Sequence, residues 1–351
     1  MRPRQEMSAE EYLNSEFRQN LKESFIRNEQ SPHCEACWHK RKHNHSSYRS
    51  GFLSRYDSEK QKLKDQIKYL EIRETNICNM ACRMCEPADS SRLEREINEH
   101  PELAQYYPTN PYTKMTSDNW KSLLKVIDNV EGVRLTGGEP TLTKRYYQLL
   151  DYLIASGRNQ NIRLMFYTNC STFSPKFIEK ILKFKKVTIT CSLDGVGDKA
   201  EYIRYGAKWN DVRTNVLRYM QLPVSIEVHS IISAYSVLGM SSLSDFFVEM
   251  LESKRLATYE PFTAFSVMNP RPLSYYNLNV DLRVRAVKEI DISLQKLTHP
   301  VVTKFYTKEL ESLKTKLLTR KDCDFDSFVR MTKALDKARN QSFEEVFGYR
   351  I

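Results

Sequence analysis

The sequence lacks any long hydrophobic run. No stretch of its 351 residues approaches the roughly 18 to 20 consecutive apolar residues that a membrane-spanning helix needs, so it predicts no membrane segment. No apolar run follows the first residues, 1–6, which predicts that the chain carries no secretory signal. We therefore expect a cytoplasmic protein. Internal repeats and low-complexity stretches are also missing, and a hydrophobic content of 40% is enough for a folded core.

The sequence also lacks a concentrated block of one charge. Lysine and arginine number 54 against 44 acidic residues, which gives a formal net charge of +10. The excess is spread along the chain, and the one tight basic run is 40–42. Because a diffuse excess indicates solubility and loose affinity for anions, the charge pattern disfavours nucleic-acid binding.

Cysteine is the residue type that carries the most information. In a cytoplasmic chain of this size, grouped cysteines bind metal or do redox work more often than they form disulfides. Five of the eight cysteines form two groups. Cys34 and Cys37 make a CxxC pair, and Cys78, Cys82 and Cys85 make a CxxxCxxC triplet.

The triplet follows a segment, residues 69–75, in which apolar and polar residues alternate as in a strand. After it, Ser90 is typical of a helix N-cap. The three thiols are therefore predicted on a loop at the C-terminal end of a strand, where ligands gather in parallel α/β proteins. Three thiolates can hold three irons of a cubane cluster and leave the fourth iron open to a small molecule.

A zinc ion bound by Cys34, Cys37, Cys82 and Cys85 is the alternative that these residues leave open. The 44 residues between the two pairs exceed the ~15 to 20 of ordinary zinc ribbons, and such a site leaves Cys78 unexplained. Zinc would suit a basic, nucleic-acid-binding protein without catalytic activity.

A second motif, Gly137-Gly138-Glu139-Pro140, ends another predicted strand. Two glycines let the backbone approach a ligand closely, and Glu139 supplies a carboxylate that can accept from an ammonium group. A CxxxCxxC triplet after one strand, followed by GGEP after the next, resembles the radical SAM superfamily.

Weaker matches extend this resemblance over roughly residues 68 to 270. They are the Thr-Asn pair that ends at Asn169, the Ser-x-Asp-Gly segment that begins at Ser192, and the Arg-x-Gly segment that begins at Arg204. Cys170 stands where family members often have glycine.

The resemblance implies that Cys78, Cys82 and Cys85 hold a 4Fe–4S cluster whose open iron binds S-adenosylmethionine. Reductive cleavage of that cofactor would yield a 5′-deoxyadenosyl radical, which abstracts hydrogen from a substrate. A flavodoxin- or ferredoxin-type electron donor is implied as well. The residues that the resemblance assigns to binding S-adenosylmethionine are Gly137, Gly138, Glu139, Pro140, Asn169, Ser192 and Arg204.

The N-terminal pair is followed by Trp38 and by a Ser-x-Arg segment at 47–49, which resembles the twitch, or half-SPASM, domain of some superfamily members. The resemblance implies an auxiliary iron–sulfur cluster at Cys34 and Cys37. Zinc stays open as its alternative, since four of the seven histidines lie between residues 33 and 45. Relatives with this domain often modify peptides, which favours a peptide or protein side chain as the substrate.

Strands and helices are predicted to alternate, which indicates a parallel sheet with crossover helices. The resemblance makes this a partial (β/α)6 radical SAM barrel with a small N-terminal appendage and a helical C-terminal extension. The predicted boundaries are 1–66, 67–270 and 271–351. The predicted strands are 69–75, 133–136, 162–168, 187–192, 224–232 and 262–267.

Apolar residues at helical spacing predict the buried faces of three helices. The first helix runs from 144 to 156. Its predicted face comprises Tyr147, Leu150 and Ile154. In the C-terminal extension, the predicted faces are Val284, Val287, Ile290, Leu294 and Leu297 in one helix, and Phe328, Met331, Leu335 and Ala338 in another.

Overall fold

The computed structural model describes ten stretches of the chain, residues 9–27, 29–35, 37–38, 67–108, 115–127, 129–251, 262–267, 269–299, 306–319 and 323–351. These stretches divide into two compact units, of which the first lies within 1–70 and 115–130 and the second within 71–114 and 131–351. The predicted domain boundaries after residues 66 and 270 stay predictions. No helix in the described stretches is both long and apolar enough to cross a bilayer.

Eight strands and thirteen helices are named below in chain order, among the residues that the structure describes. The strands are β1 (Tyr69–Arg73), β2 (Ala81–Cys82), β3 (Gly132–Thr136), β4 (Arg163–Thr168), β5 (Lys186–Ser192), β6 (Arg204–Tyr205), β7 (Ser225–Ile232) and β8 (Phe262–Ser266). The helices are α1 (Ala9–Asn14), α2 (Glu16–Ile26), α3 (Ser91–Glu99), α4 (Ser117–Ile127), α5 (Lys144–Ala155), α6 (Pro175–Ile181), α7 (Gly197–Ile203), α8 (Trp209–Tyr219), α9 (Met240–Leu251), α10 (Val280–Lys296), α11 (Tyr306–Thr319), α12 (Phe325–Arg339) and α13 (Phe343–Phe347).

Six of the strands form one sheet in the order β1-β3-β4-β5-β7-β8. The pairs from β3 to β8 are parallel, and helices connect each strand to the next along the chain. This arrangement confirms the predicted α/β fold, and all six predicted strands lie within two residues of the observed bounds. Because the strands are parallel, their C-terminal ends meet at one edge of the sheet.

The two faces of the sheet differ in exposure. In β4, Leu164 and Phe166 are fully buried, whereas the intervening Met165 and Tyr167 are half-buried. The same period of two continues in β7, where Val228 is buried and His229 is not. One face therefore packs into the apolar core, and the opposite face keeps polar side chains partly accessible.

Strands β2 and β6 form a separate antiparallel pair in which Cys82 lies opposite Arg204 and Ala81 opposite Tyr205. A two-residue strand has no recognisable sequence period, so this pairing was not predicted. It connects the segment of the cysteine triplet to the segment of Arg204, more than 100 residues later in the chain.

The buried face of α5 differs from the prediction. The fully buried residues of this helix are Tyr146, Leu149, Leu150 and Leu153, whereas Tyr147 and Ile154 are only half-buried. Tyr146 is the buried tyrosine because its hydroxyl lies 2.7 Å from the carbonyl oxygens of Ile72 and Thr136, at the ends of β1 and β3.

The C-terminal extension is helical, as predicted, but the face predicted for α10 is confirmed as buried only at Ile290 and Leu297. In α12, Phe328, Met331 and Leu335 are buried, while Ala338 is half-buried beside the buried Arg339. In α10, Val284 is 48% exposed and Val287 and Leu294 are half-buried. The buried residues of α10 are Leu282, Arg283, Ala286, Ile290 and Ser293, because the guanidinium of Arg283 turns inward to bond the carbonyls that precede the helix.

Candidate active site

The triplet lies on a loop, residues 74–90, that joins β1 to α3 and is called the cysteine loop below. Cys82 is buried in β2, and Cys78 and Cys85 are half-buried. The amide of Cys85 donates to the carbonyl of Cys82 at 3.0 Å, which closes a turn around the two residues between them. Ser90 ends the loop as the predicted N-cap, since its hydroxyl accepts from Leu93 N at 3.1 Å.

The three thiols influence one another's titration. Burial raises the pKa of Cys78 to about 12, and the neighbouring Cys82 adds to the rise. Burial also raises the pKa of Cys82 and of Cys85, and the charges of the other two thiols oppose ionisation of Cys85. Without a metal the three groups are therefore neutral thiols at pH 7, and a metal that binds them must displace their protons.

The GGEP turn is bonded directly to the cysteine loop. Gly138 N donates to the carbonyl of Thr75 at 2.8 Å, and Glu139 N donates to the carbonyl of Ile77 at 2.7 Å. A Cβ atom added at Gly138 would overlap the Ile77 carbonyl oxygen and lie 2.7 Å from the carbonyl carbon of Asn76. The close backbone approach that the two glycines predicted is therefore made to the cysteine loop.

Glu139 is 1% exposed, and its carboxylate is surrounded by donors. Oε1 accepts from the hydroxyls of Thr141 at 2.7 Å and Thr168 at 3.0 Å, and Oε2 accepts from Asn169 N at 2.8 Å. Burial raises the pKa of this carboxyl, although the hydrogen bonds favour its charged form. Glu139 thus ties the end of β3 to the end of β4.

Asn169 continues this connection to the triplet. Its side-chain amide donates to Asn79 Oδ1 at 3.0 Å and lies 3.8 Å from Cys78 Sγ. Its Oδ1 accepts from Ser171 N at 2.9 Å. Asn79 and Ser171 were not singled out in the sequence, because each is a polar loop residue without a distinguishing pattern.

Cys170 has a left-handed backbone, with φ of 58°. Glycine adopts this conformation without steric cost, which gives a physical reason for the glycine that family members often have here. The Cys170 thiol is fully buried, as is that of Cys191 in β5. Both behave as small apolar residues of the core, and Cys323 is exposed.

Arg204 lies beside the triplet on β6. Its Nη1 is 3.8 Å from Cys82 Sγ, and its Nη2 is 2.6 Å from the carboxylate of Asp194. Burial works against the charge of this guanidinium, but Asp194 raises the pKa of Arg204. Arg204 Nε is buried and has no hydrogen-bond partner among the described residues, and Ser192 lies half-buried at the end of β5.

Polar side chains that the sequence analysis missed occupy the accessible face of the sheet. Arg134 of β3 pairs with Glu71 of β1 at 3.3 Å, and its guanidinium lies 5.9 Å from the ring centre of Tyr167. That ring meets the imidazole of His229 edge to face at 5.4 Å between centres. These three residues could have been identified from the sequence, because each occupies an alternate position in a strand whose intervening positions are apolar.

The pH dependence of stability tests the environment of His229. Burial, together with the charges of Arg204 and Arg134, lowers the pKa of His229 to about 4, against 6.5 in an unfolded chain. Below pH 6.5 the unfolded chain binds a proton that the folded chain does not, so folding is weakened as the pH falls toward 4. We expect His229→Gln to relieve on the order of 2 kcal/mol of this loss by pH 5 in urea unfolding of the full chain.

At pH 7.5 the histidine is neutral in both the folded and the unfolded chain. The difference in unfolding free energy between the variant and the wild type at this pH is therefore the reference for the measurements at lower pH. The gap between their stabilities should open only as the pH is lowered. Parallel curves from pH 7.5 to 5 contradict the interpretation.

The N-terminal pair lies in the first unit. A short 3-10 turn, Pro32–Cys34, begins at Ser31, whose hydroxyl accepts from His33 N at 3.3 Å. Cys34 and Cys37 are half-buried and Trp38 is buried. The Ser-x-Arg segment at 47–49 and the histidines at 39, 43 and 45 lie outside the described residues, so the twitch domain and its metal stay predictions.

Across the stretches that the structure describes, no group of three or more His, Cys, Asp and Glu side chains surrounds a single metal-ion position. A cubane cluster makes a different demand on its ligands, because each thiolate bonds to a separate iron. The triplet supplies the three thiols that this cluster needs from one loop. The donor set therefore fits a cluster.

Residues 72–233 match the sequence model of the Radical SAM superfamily. The chain contains a radical SAM domain. The match confirms the predicted superfamily for the segment from the last two residues of β1 to the end of β7, which includes the triplet, the GGEP turn, Asn169, Ser192 and Arg204. The matched residues do not include the N-terminal pair, Cys34 and Cys37.

Two curated relatives resemble part of the chain. An uncharacterized protein of Methanocaldococcus jannaschii is 26% identical over 133 residues, which cover 38% of this chain and 40% of the relative. GTP 3′,8-cyclase of Syntrophomonas wolfei is 25% identical over 168 residues, which cover 46% of each chain. The chain thus spans less than half the length of each of these relatives.

Solved structures resemble the chain more distantly. The structure of anSMEcpe with bound AdoMet has a TM-score of 0.46 at 15% identity, and the match covers 70% of this chain and 62% of the other. SuiB of Streptococcus suis bound to S-adenosylmethionine has a TM-score of 0.40 at 18% identity, over 66% and 45% of the two chains. At these scores the similarity does not bear on function.

Proposed function

We propose that the chain is a radical SAM enzyme. Cys78, Cys82 and Cys85 hold a 4Fe–4S cluster, and the open iron binds S-adenosylmethionine. When bound, these cofactors supply a reductive cleavage that forms a 5′-deoxyadenosyl radical, which abstracts hydrogen from the substrate. The family match over residues 72–233 supports the class of enzyme.

The main support for the proposal is that two motif segments, the GGEP turn and the segment of Asn169, both contact the cysteine loop. The GGEP turn donates two backbone hydrogen bonds to the cysteine loop, and the side chain of Asn169 reaches within 3.8 Å of Cys78 Sγ. These contacts bring the C-terminal ends of β1, β3 and β4 to the triplet. Motifs from three strands therefore converge where a cofactor can contact all of them.

Arg204 is the best-supported partner for the carboxylate of S-adenosylmethionine. Its buried Nε has no hydrogen-bond partner among the described residues, so a carboxylate would satisfy a donor that is otherwise costly to bury. Gly137, Gly138 and Glu139, with Pro140, form the turn proposed to receive the methionine ammonium, and Ser192 and Asn169 the ribose or carboxylate.

The substrate is proposed as a peptide or protein side chain, which the resemblance of the N-terminal pair to a twitch domain supports. In that proposal Cys34 and Cys37 bind an auxiliary iron–sulfur cluster or a zinc ion. GTP is the small molecule to test beside peptides, because a relative that is 25% identical carries the name GTP 3′,8-cyclase. A flavodoxin- or ferredoxin-type protein is the proposed electron donor.

Anaerobic reconstitution with iron and sulfide tests the function. We expect a brown protein with at least about four irons per chain that releases 5′-deoxyadenosine from S-adenosylmethionine when dithionite is added. Omission of dithionite should stop the release. Colourless protein that holds only zinc after the same preparation contradicts the proposal and supports the zinc-stabilised, nucleic-acid-binding alternative. With a deuterated peptide or GTP, transfer of deuterium into 5′-deoxyadenosine would identify the substrate.

A further inference from the structure

Arg83 lies between the second and third cysteines of the triplet and is fully buried. A charged side chain is rarely buried to this extent unless other groups compensate for its charge. Its position in the sequence gives it a direct covalent connection to Cys82 and makes it part of the turn that ends at Cys85.

The guanidinium of Arg83 is held by groups from distant parts of the chain. Nε donates to the carbonyl of Tyr202 at 3.0 Å, and Nη2 donates to Asp336 Oδ1 at 2.6 Å and to Gln341 Oε1 at 2.9 Å. The guanidinium carbon also lies 3.5 Å from the ring centre of Tyr202, within the range of a cation–π contact. Asp336 and Gln341 belong to α12 and to the segment that follows it.

Asp336 is itself fixed by further donors. Its Oδ1 accepts from the hydroxyl of Tyr202 at 2.6 Å, and its Oδ2 accepts from Phe343 N at 2.8 Å. The carboxylate that receives Arg83 is thus bonded to α7 and to the first residue of α13. Because Asp336 is itself held from two helices, its bond to Nη2 restricts the position of the Arg83 side chain.

The backbone of Arg83 is held as well. Arg83 N donates to the carbonyl of Ile203 at 2.9 Å, and the hydroxyl of Tyr107 donates to the carbonyl of Arg83 at 3.2 Å. The pairing of Cys82 with Arg204 in the short β2–β6 sheet adjoins these bonds. Main chain and side chain are therefore fixed together between the two cysteines.

We propose that Arg83 is a positioning residue for the cluster, which holds the turn from Cys82 to Cys85 in place through Asp336 and Gln341. The inference rests on the proposed function, since it assigns these cysteines to a cluster. It makes the segment from residue 336 to 343 part of the cofactor site, although that segment supplies no cysteine. The planar guanidinium suits this role because it donates to three acceptors in fixed directions, which a lysine cannot do.

Arg83→Met tests the proposal, because methionine keeps an apolar stem of similar length and removes the donors. In the full reconstituted chain, we expect the variant to release iron to a chelator at least 10-fold faster than the wild type. Hydrogen exchange of the amides of residues 83–86, measured on the chain without metal, should accelerate at least 10-fold. Arg83→Lys should give rates of iron release and hydrogen exchange between those of the wild type and those of Arg83→Met.

Arg283→Met is the matched control for a merely structural effect. Arg283 is also a buried arginine, and its guanidinium donates to the carbonyls of Leu278 at 2.7 Å and Tyr276 at 3.0 Å within its own segment. This variant should leave both iron release and exchange at 83–86 within about twofold of the wild type. If Arg83→Met behaves as Arg283→Met does in both measurements, the positioning role is wrong.

Two milder variants decide the question if Arg83→Met does not fold. Asp336→Asn keeps the size of the acceptor and removes its charge, and Gln341→Ala removes one acceptor. Both should accelerate iron release and the exchange at 83–86 by several-fold over Arg283→Met, and equality with that control overturns the inference. A wild-type chain that takes up no iron refutes the proposed function instead, and exchange without metal still tests whether Arg83 fixes the turn.

Discussion

A chain in which Cys78, Cys82 and Cys85 are all alanine is expected to release no 5′-deoxyadenosine above the level of a protein-free sample. Each thiolate is the protein's bond to one iron, so the triple variant has no anchor for a cluster. The loss should be complete rather than partial because no other described cysteine lies in the cysteine loop. Anaerobic assays with dithionite and S-adenosylmethionine, with iron and sulfide measured on the same samples, would show it.

Cys323→Ala is the control for this experiment, because Cys323 is exposed and lies outside the radical SAM match. It should retain both iron and activity. Release of 5′-deoxyadenosine by the triple variant at the rate of the Cys323→Ala chain would remove the basis of the proposed function.

Gly138→Ala is expected to destabilise the fold by more than about 3 kcal/mol, at the upper end of what overpacking costs. The added Cβ meets backbone atoms of Asn76 and Ile77 rather than the end of a flexible side chain. Relief requires the GGEP turn to move away from the cysteine loop, which lengthens the bonds of Gly138 N to Thr75 and Glu139 N to Ile77. Urea unfolding measures the loss, and iron uptake should fall with it.

Gly157→Ala separates this steric effect from the general cost of replacing a glycine. Gly157 has a left-handed φ of 72°, but nothing lies within 4 Å of the added Cβ. Its replacement should cost about 1 kcal/mol, from backbone conformation alone. Equal losses of stability in the two variants would contradict the steric explanation, in which Gly138 is needed for its close contact with the cysteine loop.

The sequence predicts the sheet well because its signal is local. In β4 and β7, alternate residues face the core, and alternation can be read without knowledge of the neighbours. Helix faces were harder to predict. Tyr146 rather than Tyr147 is buried because two strand-end carbonyls accept its hydroxyl, and the apolar spacing of α5 does not contain that information.

The candidate site was predictable to the extent that its residues form motifs. The triplet, the GGEP turn and Asn169 were identified in the sequence, and the structure brings them together. Arg83 was not identified, because its partners Asp336 and Gln341 are more than 250 residues away in the chain. No local pattern encodes a contact over that separation.

The separation of Arg83 and Asp336 in the sequence also determines when, during synthesis, the cysteine loop can be fixed in place. During synthesis the chain emerges from the ribosome from its N-terminus, so the cysteine loop is made long before residue 336 exists. Asp336 lies 253 residues after Arg83, and the loop therefore gains these bonds only after all of the intervening residues have been made. Cellular factors that deliver iron and sulfur to a fully formed site would therefore act only after Asp336 and Gln341 have been made.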